Sequence, residues 1–491
     1  MKRIDPCIAR GYARGAIAKS YKIMHSFHWL PVPPARMLGH HVKKSGDTVA
    51  YGRRWTLSIL LALSFHAAAA PADELDSALG AIVADPAHPM ASLSVLAIRH
   101  GDVVYQKQFG RRHIGNDGFA DLPATPATMY RIASISKMMT TFGLMKLVED
   151  GKLRLDADVG SYLGFPLRNP HFPDQAITLR MLLTHTASLR DGAGYSWGTD
   201  VALREVVTPG ARLYGSGAAW SDAAAPGTYF TYCNLNWGVI ATVMERVTGE
   251  RFDKLMRRLL LDPMEIRGGY NPAAMAPGAV ADIATLYRKR TVETEIWDGA
   301  GPWIAQVDDY ATRSPQEPAG IGDYRIGSNG TLFSPTGGLR ISAADMGKIM
   351  LMLMNDGRYR ERRILKPETI QLMFTPQWQA TAIGADGKAA NGDTDRGFYR
   401  IWGLGNQQFE PGAGGNGLVD GADFHAAGHL GDAYGLLSAF VVDFRNRNGM
   451  ISLIGGTGSD PQQYPGRYSA LSRYEEKVLT TLYRGAVATS P

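Results

Sequence analysis

At 491 residues the chain can build one large domain or two smaller ones, and 45% hydrophobic with 20% charged residues excludes a disordered chain. The formal charge of +6 misleads, because eleven of the 52 Lys and Arg lie in residues 1–70 against only Asp5 and Asp47. Downstream, 41 basic face 44 acidic residues, a balance of −3 that offers no basic surface for phosphates and argues against nucleic-acid binding.

Along the chain, the basic excess belongs to a targeting segment over residues 1–70. Arg53-Arg54, the apolar run Trp55 to Phe65 and then Ala67 to Ala70 follow the order positive, apolar, small that export machinery reads. The signal is expected over about residues 51–70, with cleavage near Ala69–Ala70 and an exported product, periplasmic or secreted. The run is about half the roughly 20 residues that span a bilayer, so no stable membrane span is expected after its removal. Residues 1–50 resemble no usual signal and suggest a start codon assigned too far upstream. Of two cysteines, Cys7 and Cys233, only the second survives such cleavage, so no internal disulfide is expected.

The mature part, residues 71–491, opens with a helix over Asp73 to Val83. Two β-rich runs follow, Leu93 to Arg99 and Val103 to Phe109, joined by the turn His100-Gly101-Asp102. Helical patterns then dominate: Ser134 to Glu149, Leu179 to Thr184, Leu235 to Thr248, Phe252 to Leu261 and Ala343 to Asn355. The stretch from about Pro277 to Pro335, rich in Gly, Pro and aromatics such as Trp297 and Trp303, reads as a long irregular insertion. A second hairpin, Tyr434 to Phe444 and Met450 to Ile454, turns through Asn448-Gly449, whose composition suits positive φ. A last helix places Leu471, Tyr474, Val478 and Leu482 on one face. Strands at both ends with helices between predict an α+β fold: one antiparallel sheet built from both chain ends.

Three short motifs carry chemistry. In Ser134-Ile135-Ser136-Lys137 a β-like approach gives way to an apolar helix. Positions i and i+3 share a helix face, so the Lys137 amine reaches the Ser134 hydroxyl. The helix N-terminus and burial both disfavour a charged amine, which lowers the lysine from about 10.4 towards about 7–8. The Ser134 N–H, unpaired in the first turn, is free to stabilise an oxyanion. The bland alternative is a capping serine with Lys137 in water.

Tyr232-Cys233-Asn234, after Pro226-Gly227 and before a helix, offers a phenol for proton relay and an amide for a substrate carbonyl. Its alternative is a buried tyrosine with a capping asparagine. His429-Leu430-Gly431, just before the closing hairpin, offers a glycine that would let substrate backbone approach an edge strand. Its alternative is a turn with an incidental histidine.

The ordered set Ser-x-x-Lys, Tyr-x-Asn and His-x-Gly, spaced by 98 and 197 residues, resembles the superfamily of class C β-lactamases, penicillin-binding proteins, esterases and D-aminopeptidases. Tyr130-Arg131-Ile132-Ala133, Leu182-Leu183-Thr184-His185-Thr186, Gly337-Gly338-Leu339 and Trp402-Gly403-Leu404-Gly405 agree with it, over roughly residues 75–485. The resemblance implies a mixed sheet flanked by helices, an inserted helical subdomain over about residues 150–325, and a site in the groove between them. It implies that Ser134 attacks, Lys137 takes its proton and Tyr232 serves acid–base catalysis. It further implies that Asn234, His429 and Gly431 bind substrate while the N–H groups of Ser134 and Asp432 form the oxyanion hole. Two departures stand out: Cys233 where a serine is common, and His429 where β-lactamases carry the Lys of a Lys-Thr-Gly triad.

Other motifs fail on context. Gly194-Tyr-Ser196-Trp-Gly198 matches a nucleophile elbow but lacks the strand that must precede it. Gly412 to Gly417 matches a dinucleotide fingerprint with no strand before it and no helix after. His425 and His429 have no third ligand for zinc, and His185 reads as a structural hydrogen-bonder. No cofactor and no metal are therefore expected. The partner is a small-molecule or peptide substrate, with D-amino-acid peptides, short esters and β-lactams all open. The competing function is a penicillin-binding-like protein that has kept the fold without activity.

Overall fold

Both ends of the chain carry strands that are apolar on two faces, and such strands must be covered on two sides. A computed structural model describes residues 71–115, 118–412 and 415–488; the expected targeting segment lies outside them. Helix α1 (Pro71–Val83) leads into β1 (Ser92–Arg99), β2 (Asp102–His113), the short β3 (Leu122–Pro123) and β4 (Met129–Arg131). The helices α2 (Ile135–Glu149), α3 (Leu179–Leu183) and α4 (Leu235–Thr248) come next, then β5 (Leu286–Lys289), β6 (Trp303–Val307), β7 (Arg340–Ser342) and helix α5 (Ala343–Met354). The chain returns through β8 (Trp378–Gln379), β9 (Ile401–Trp402) and β10 (Gln407–Phe409) to the long β11 (Ala426–Ala433), β12 (Leu436–Asp443) and β13 (Asn448–Ile454). It closes with β14 (Gly456–Thr457) and α6 (Arg473–Leu482).

The main sheet runs β8-β9-β10-β11-β12-β13-β1-β2-β3, nine strands among the described residues. Every neighbouring pair is antiparallel, so the sheet is not the mixed one the resemblance implies. A parallel strand pair lies outside it, where β14 meets β5. The central contact joins the chain ends, Leu93 opposite Ile454 through Ile98 opposite Gly449. Alternation sorts the side chains by face. Leu93, Val95 and Ala97 join Leu437, Ala439 and Val441 under α1 and α6, while Leu96, Ile98, Phe440 and Val442 pack with α2 and α5. All eight residues of β12 are buried, which is why that strand reads as an unbroken apolar run. Of the four residues expected on one face of the last helix, Tyr474, Val478 and Leu482 lie on α6 and Leu471 just before its cap at Ser472; all four are in the core.

The α2 segment is buried on every side from Ile135 to Met145, including its polar Ser136, Lys137, Thr140 and Thr141. Gly151 at φ 70° ends it in the left-handed region.

The structure corrects three expectations. The last turn does not use Asn448-Gly449: both lie inside β13, and Arg447 takes the positive φ of 52°. The run expected from Tyr434 starts only at Leu436, because Tyr434 and Gly435, at φ 59° and 84°, form the two-residue turn from β11. The insertion over 277–335 is not irregular throughout. It carries a short helix, Pro277–Val280, and the hairpin β5–β6, whose Arg288 lies 5.2 Å from the Trp297 ring and Lys289 5.9 Å from Trp303.

Candidate active site

Strand β4 delivers the chain to Ser134 through a strained step. Ala133 sits at φ 47°, a region that costs an L-residue roughly 1–2 kcal/mol, and Ser134 follows in the helical region at the mouth of α2. From Ile132 to Met145, Ser134 alone is not buried. No described group accepts its backbone N–H. One turn on, Lys137 has no exposed surface, which removes the alternative of a solvated lysine. Its Nζ lies 2.9 Å from Ser134 Oγ and 3.3 Å from the carbonyl of Thr336. Burial pushes the amine down to about 7, against the opposing pull of Asp191.

The second motif comes from the turn before α4. Tyr232 is sandwiched between His185, 4.4 Å away, and Tyr399, 5.4 Å away and nearly parallel, with Lys137 Nζ 4.8 Å from its ring centre. Asn234 does not cap the helix with its side chain. Its Nδ2 donates to Asp191 Oδ2 and its Oδ1 accepts from Thr336 Oγ1, both at 2.9 Å. The amide expected to hold a substrate carbonyl is therefore already committed at both ends, with one N–H left over. Asp191 does the capping. It accepts the N–H groups of Asn234 and Leu235 at 2.9 Å each, at a helix end whose dipole favours an anion.

The third motif lies within β11. Strand β10 pairs with this strand only as far as Gly428, so the edge from His429 onward is open among the described residues. The tight turn after Ala433 makes Ala433 and Leu436 a hydrogen-bonded pair. Alternation then faces the N–H of Asp432 toward that open edge. Gly431 has a different reason to be glycine than the one expected. A Cβ there would stand 2.5 Å from Ser438 Oγ, 2.6 Å from the Ile132 carbonyl and 3.1 Å from the Ala133 Cβ, so the missing side chain admits the segment that leads to Ser134. His429 is buried, and its Nδ1 donates to the Leu430 carbonyl at 2.6 Å. A carbonyl only accepts, so the proton sits on Nδ1 and Nε2 presents a lone pair. Burial and the nearby Lys137 push the imidazole down to about 3.

With the three motifs gathered around one serine, comparison with known proteins is specific. A family model described as Beta-lactamase matches residues 75–472. The chain belongs to the Beta-lactamase family. Among curated relatives, Protein flp of Staphylococcus aureus is 26% identical over 177 residues, 35% of this chain and 33% of that one. The chain thus spans about a third of the length of that relative. Lovastatin esterase of Penicillium rubens is 27% identical over 328 residues, 61% of this chain and 72% of that one. The octameric penicillin-binding protein homologue from Pyrococcus abyssi shares the fold at a TM-score of 0.54 and 23% identity, over 79% of this chain and 74% of that one.

Within this family member the remaining candidates separate by environment. Ser196 is exposed in a loop after a single 3₁₀ turn, Asp191–Ala193, with no strand before it. His185 is buried, at φ 57°, and its Nδ1 accepts the Cys233 N–H at 2.9 Å. Burial and the neighbouring Lys137 hold it well below the usual imidazole range. His425 pairs with Asp423 at 3.0 Å. Sequence reasoning missed Asp191, Thr336 and Tyr399. Asp191 follows His185 by six residues with no motif of its own, and Thr336 acts partly through its carbonyl, which any residue has. Tyr399 stands just before the Trp402 motif and gave only a generic aromatic signal.

Proposed function

We propose that the mature chain is an exported serine hydrolase that cleaves ester or D-amino-acid amide bonds through an acyl-enzyme on Ser134. The observation that carries this reading is the buried Lys137 amine, 2.9 Å from Ser134 Oγ and held near 7. At neutral pH a large fraction of such an amine is uncharged and accepts the hydroxyl proton as Oγ attacks the substrate carbonyl. The oxyanion then takes the N–H groups of Ser134 and Asp432. Tyr232 returns a proton to the leaving group, and water reverses the sequence to release the acid.

The third motif supports substrates without a carboxylate near the reacting bond. A lysine at that place is a permanent cation, whereas His429 is neutral, its Nδ1 bonded to the Leu430 carbonyl and its Nε2 buried without a partner among the described residues. Charge-assisted bonds are roughly twice as strong as neutral ones, so loss of the cation weakens carboxylate recognition. The similarity to a lovastatin esterase over most of that protein's length favours the ester branch. The test compares a short-chain nitrophenyl ester, a D-alanine anilide and a chromogenic cephalosporin on purified protein. Ester or anilide turnover should exceed cephalosporin turnover. Cephalosporin kcat/KM above about 10⁴ M⁻¹s⁻¹ with negligible cleavage of the other two would replace this reading with a true β-lactamase. No turnover of any of the three would favour a binding protein.

A further inference from the structure

We infer that Asp191 is the positioning residue of this site: it builds the Tyr232–Asn234 turn onto α4 and supplies the negative charge that Lys137 works against. The inference rests on the role proposed above for Lys137 and concerns how that role is set.

The geometry begins with four donors on one carboxylate. Oδ2 accepts Asn234 N and Asn234 Nδ2, each at 2.9 Å; Oδ1 accepts Leu235 N at 2.9 Å and the Cys233 thiol at 3.3 Å. All of these belong to Cys233, Asn234 and Leu235, the residues directly after Tyr232. The chain of contacts continues from Asn234 Oδ1 to Thr336 Oγ1 at 2.9 Å, and from the Thr336 carbonyl to Lys137 Nζ at 3.3 Å. Asp191 and the lysine are thus linked through Asn234 and Thr336, whose hydroxyl meets the amide and whose carbonyl meets the amine.

Charge follows the same link. The groups facing Lys137 are Asp191, the Cys233 thiol, the imidazoles of His185 and His429, and the rings of Tyr232 and Trp237. Burial holds both imidazoles uncharged. Burial, and then Asp191, push the Cys233 thiol up, so it stays protonated. Asp191 is left as the anion that raises Lys137 against the larger effect of burial. A neutral residue at 191 lowers the amine further. Because the uncharged amine is the active form, the acid limb of the rate profile then moves to lower pH.

The experiment measures kcat/KM against pH on a nitrophenyl ester for the wild-type chain and for Asp191→Asn, Asp191→Ser, Asp191→Glu and Thr336→Val. Each variant is also labelled with a fluorophosphonate, and the modified peptide is mapped. The acid limb should fall by at least about half a pH unit in the two neutral variants, in line with the size of effect an opposite charge has on a neighbour. It should stay near the wild-type value in Asp191→Glu, which keeps the charge, and in Thr336→Val, which breaks the hydroxyl link to Asn234 without removing charge. A lower kcat with an unmoved limb in the neutral variants would overturn the inference, as would loss of folding in both, since either makes Asp191 a scaffold residue only. Failure of the proposed function reads differently: there the wild-type chain itself carries no label on Ser134.

Discussion

At the scale of the residue, the site depends on two close approaches that allow no spare atom. Gly431 lies against the carbonyl of Ile132 and the side chain of Ala133, the last steps before Ser134. Gly431→Ala must push these apart, at a cost typical of overpacking, about 1–3 kcal/mol. Ester turnover should fall by more than tenfold while the Tyr232 side of the groove keeps its structure. Urea unfolding together with kcat/KM checks this, and unchanged activity would mean that the Ser134 segment has room the structure does not show. Lys137 gives the second expectation. Its amine is held near 7, so kcat/KM should rise with pH through an acid limb close to that value. His429, down at about 3, adds no further limb between about pH 5 and 8. A profile flat from about pH 5 to 10 would contradict the assignment of the base. The burial of Lys137 beside Ser134 was legible in the sequence, because i, i+3 spacing on an apolar helix leaves the amine few other places. The commitment of Asn234 was not, since both its partners, Asp191 and Thr336, arrive from distant parts of the chain.

At the scale of the element, the strand entering the site is held from behind. Strand β4 pairs with β7, Tyr130 opposite Ile341 and Arg131 opposite Arg340. Arg340 in turn makes a two-pronged ion pair with Asp308, at 2.9 and 2.7 Å, with both side chains buried. Asp308→Ala would leave a buried guanidinium without its partner, a loss on the order of 3–5 kcal/mol. Chemical denaturation should show that drop, and a change below about 1 kcal/mol would place the pair among those that contribute little. The elements themselves follow from local pattern: α2, α4 and α5 come from long apolar-rich stretches, and the β1–β2 hairpin from two β-rich runs around His100-Gly101-Asp102. What failed was turn chemistry. Asn448-Gly449 looked like the turn, but β13 needs both residues to pair with β12, and the positive φ passes to Arg447. Within 277–335 the hairpin β5–β6 was hidden because its strands are short and lean on Trp297 and Trp303 through Arg288 and Lys289, which leaves no clean alternation.

At the scale of the whole molecule, one sheet ties the start of the described residues to their finish. Leu75, Leu79 and Val83 of α1 share a core with Tyr474, Val478 and Leu482 of α6. On the proposed export, processing would stop before this helix, and N-terminal sequencing of exported protein should find a start near residue 70. An intact segment 55–70 in the membrane fraction would make it an anchor instead. No helix among the described residues is long and apolar enough to cross a membrane. The sheet and the flanking helices were legible because strands cluster at the two ends of the sequence and helices between them. The link through Thr336 was not, because its partners Asn234 and Lys137 lie 102 and 199 residues away in the chain. The central claim, that Ser134 is the nucleophile, is tested most directly by labelling the purified mature chain with a fluorophosphonate and mapping the modified peptide by mass. A single adduct on Ser134, abolished in Ser134→Ala and left intact in Ser196→Ala, is the predicted result. An adduct on Ser196, or labelling that survives Ser134→Ala, would contradict it.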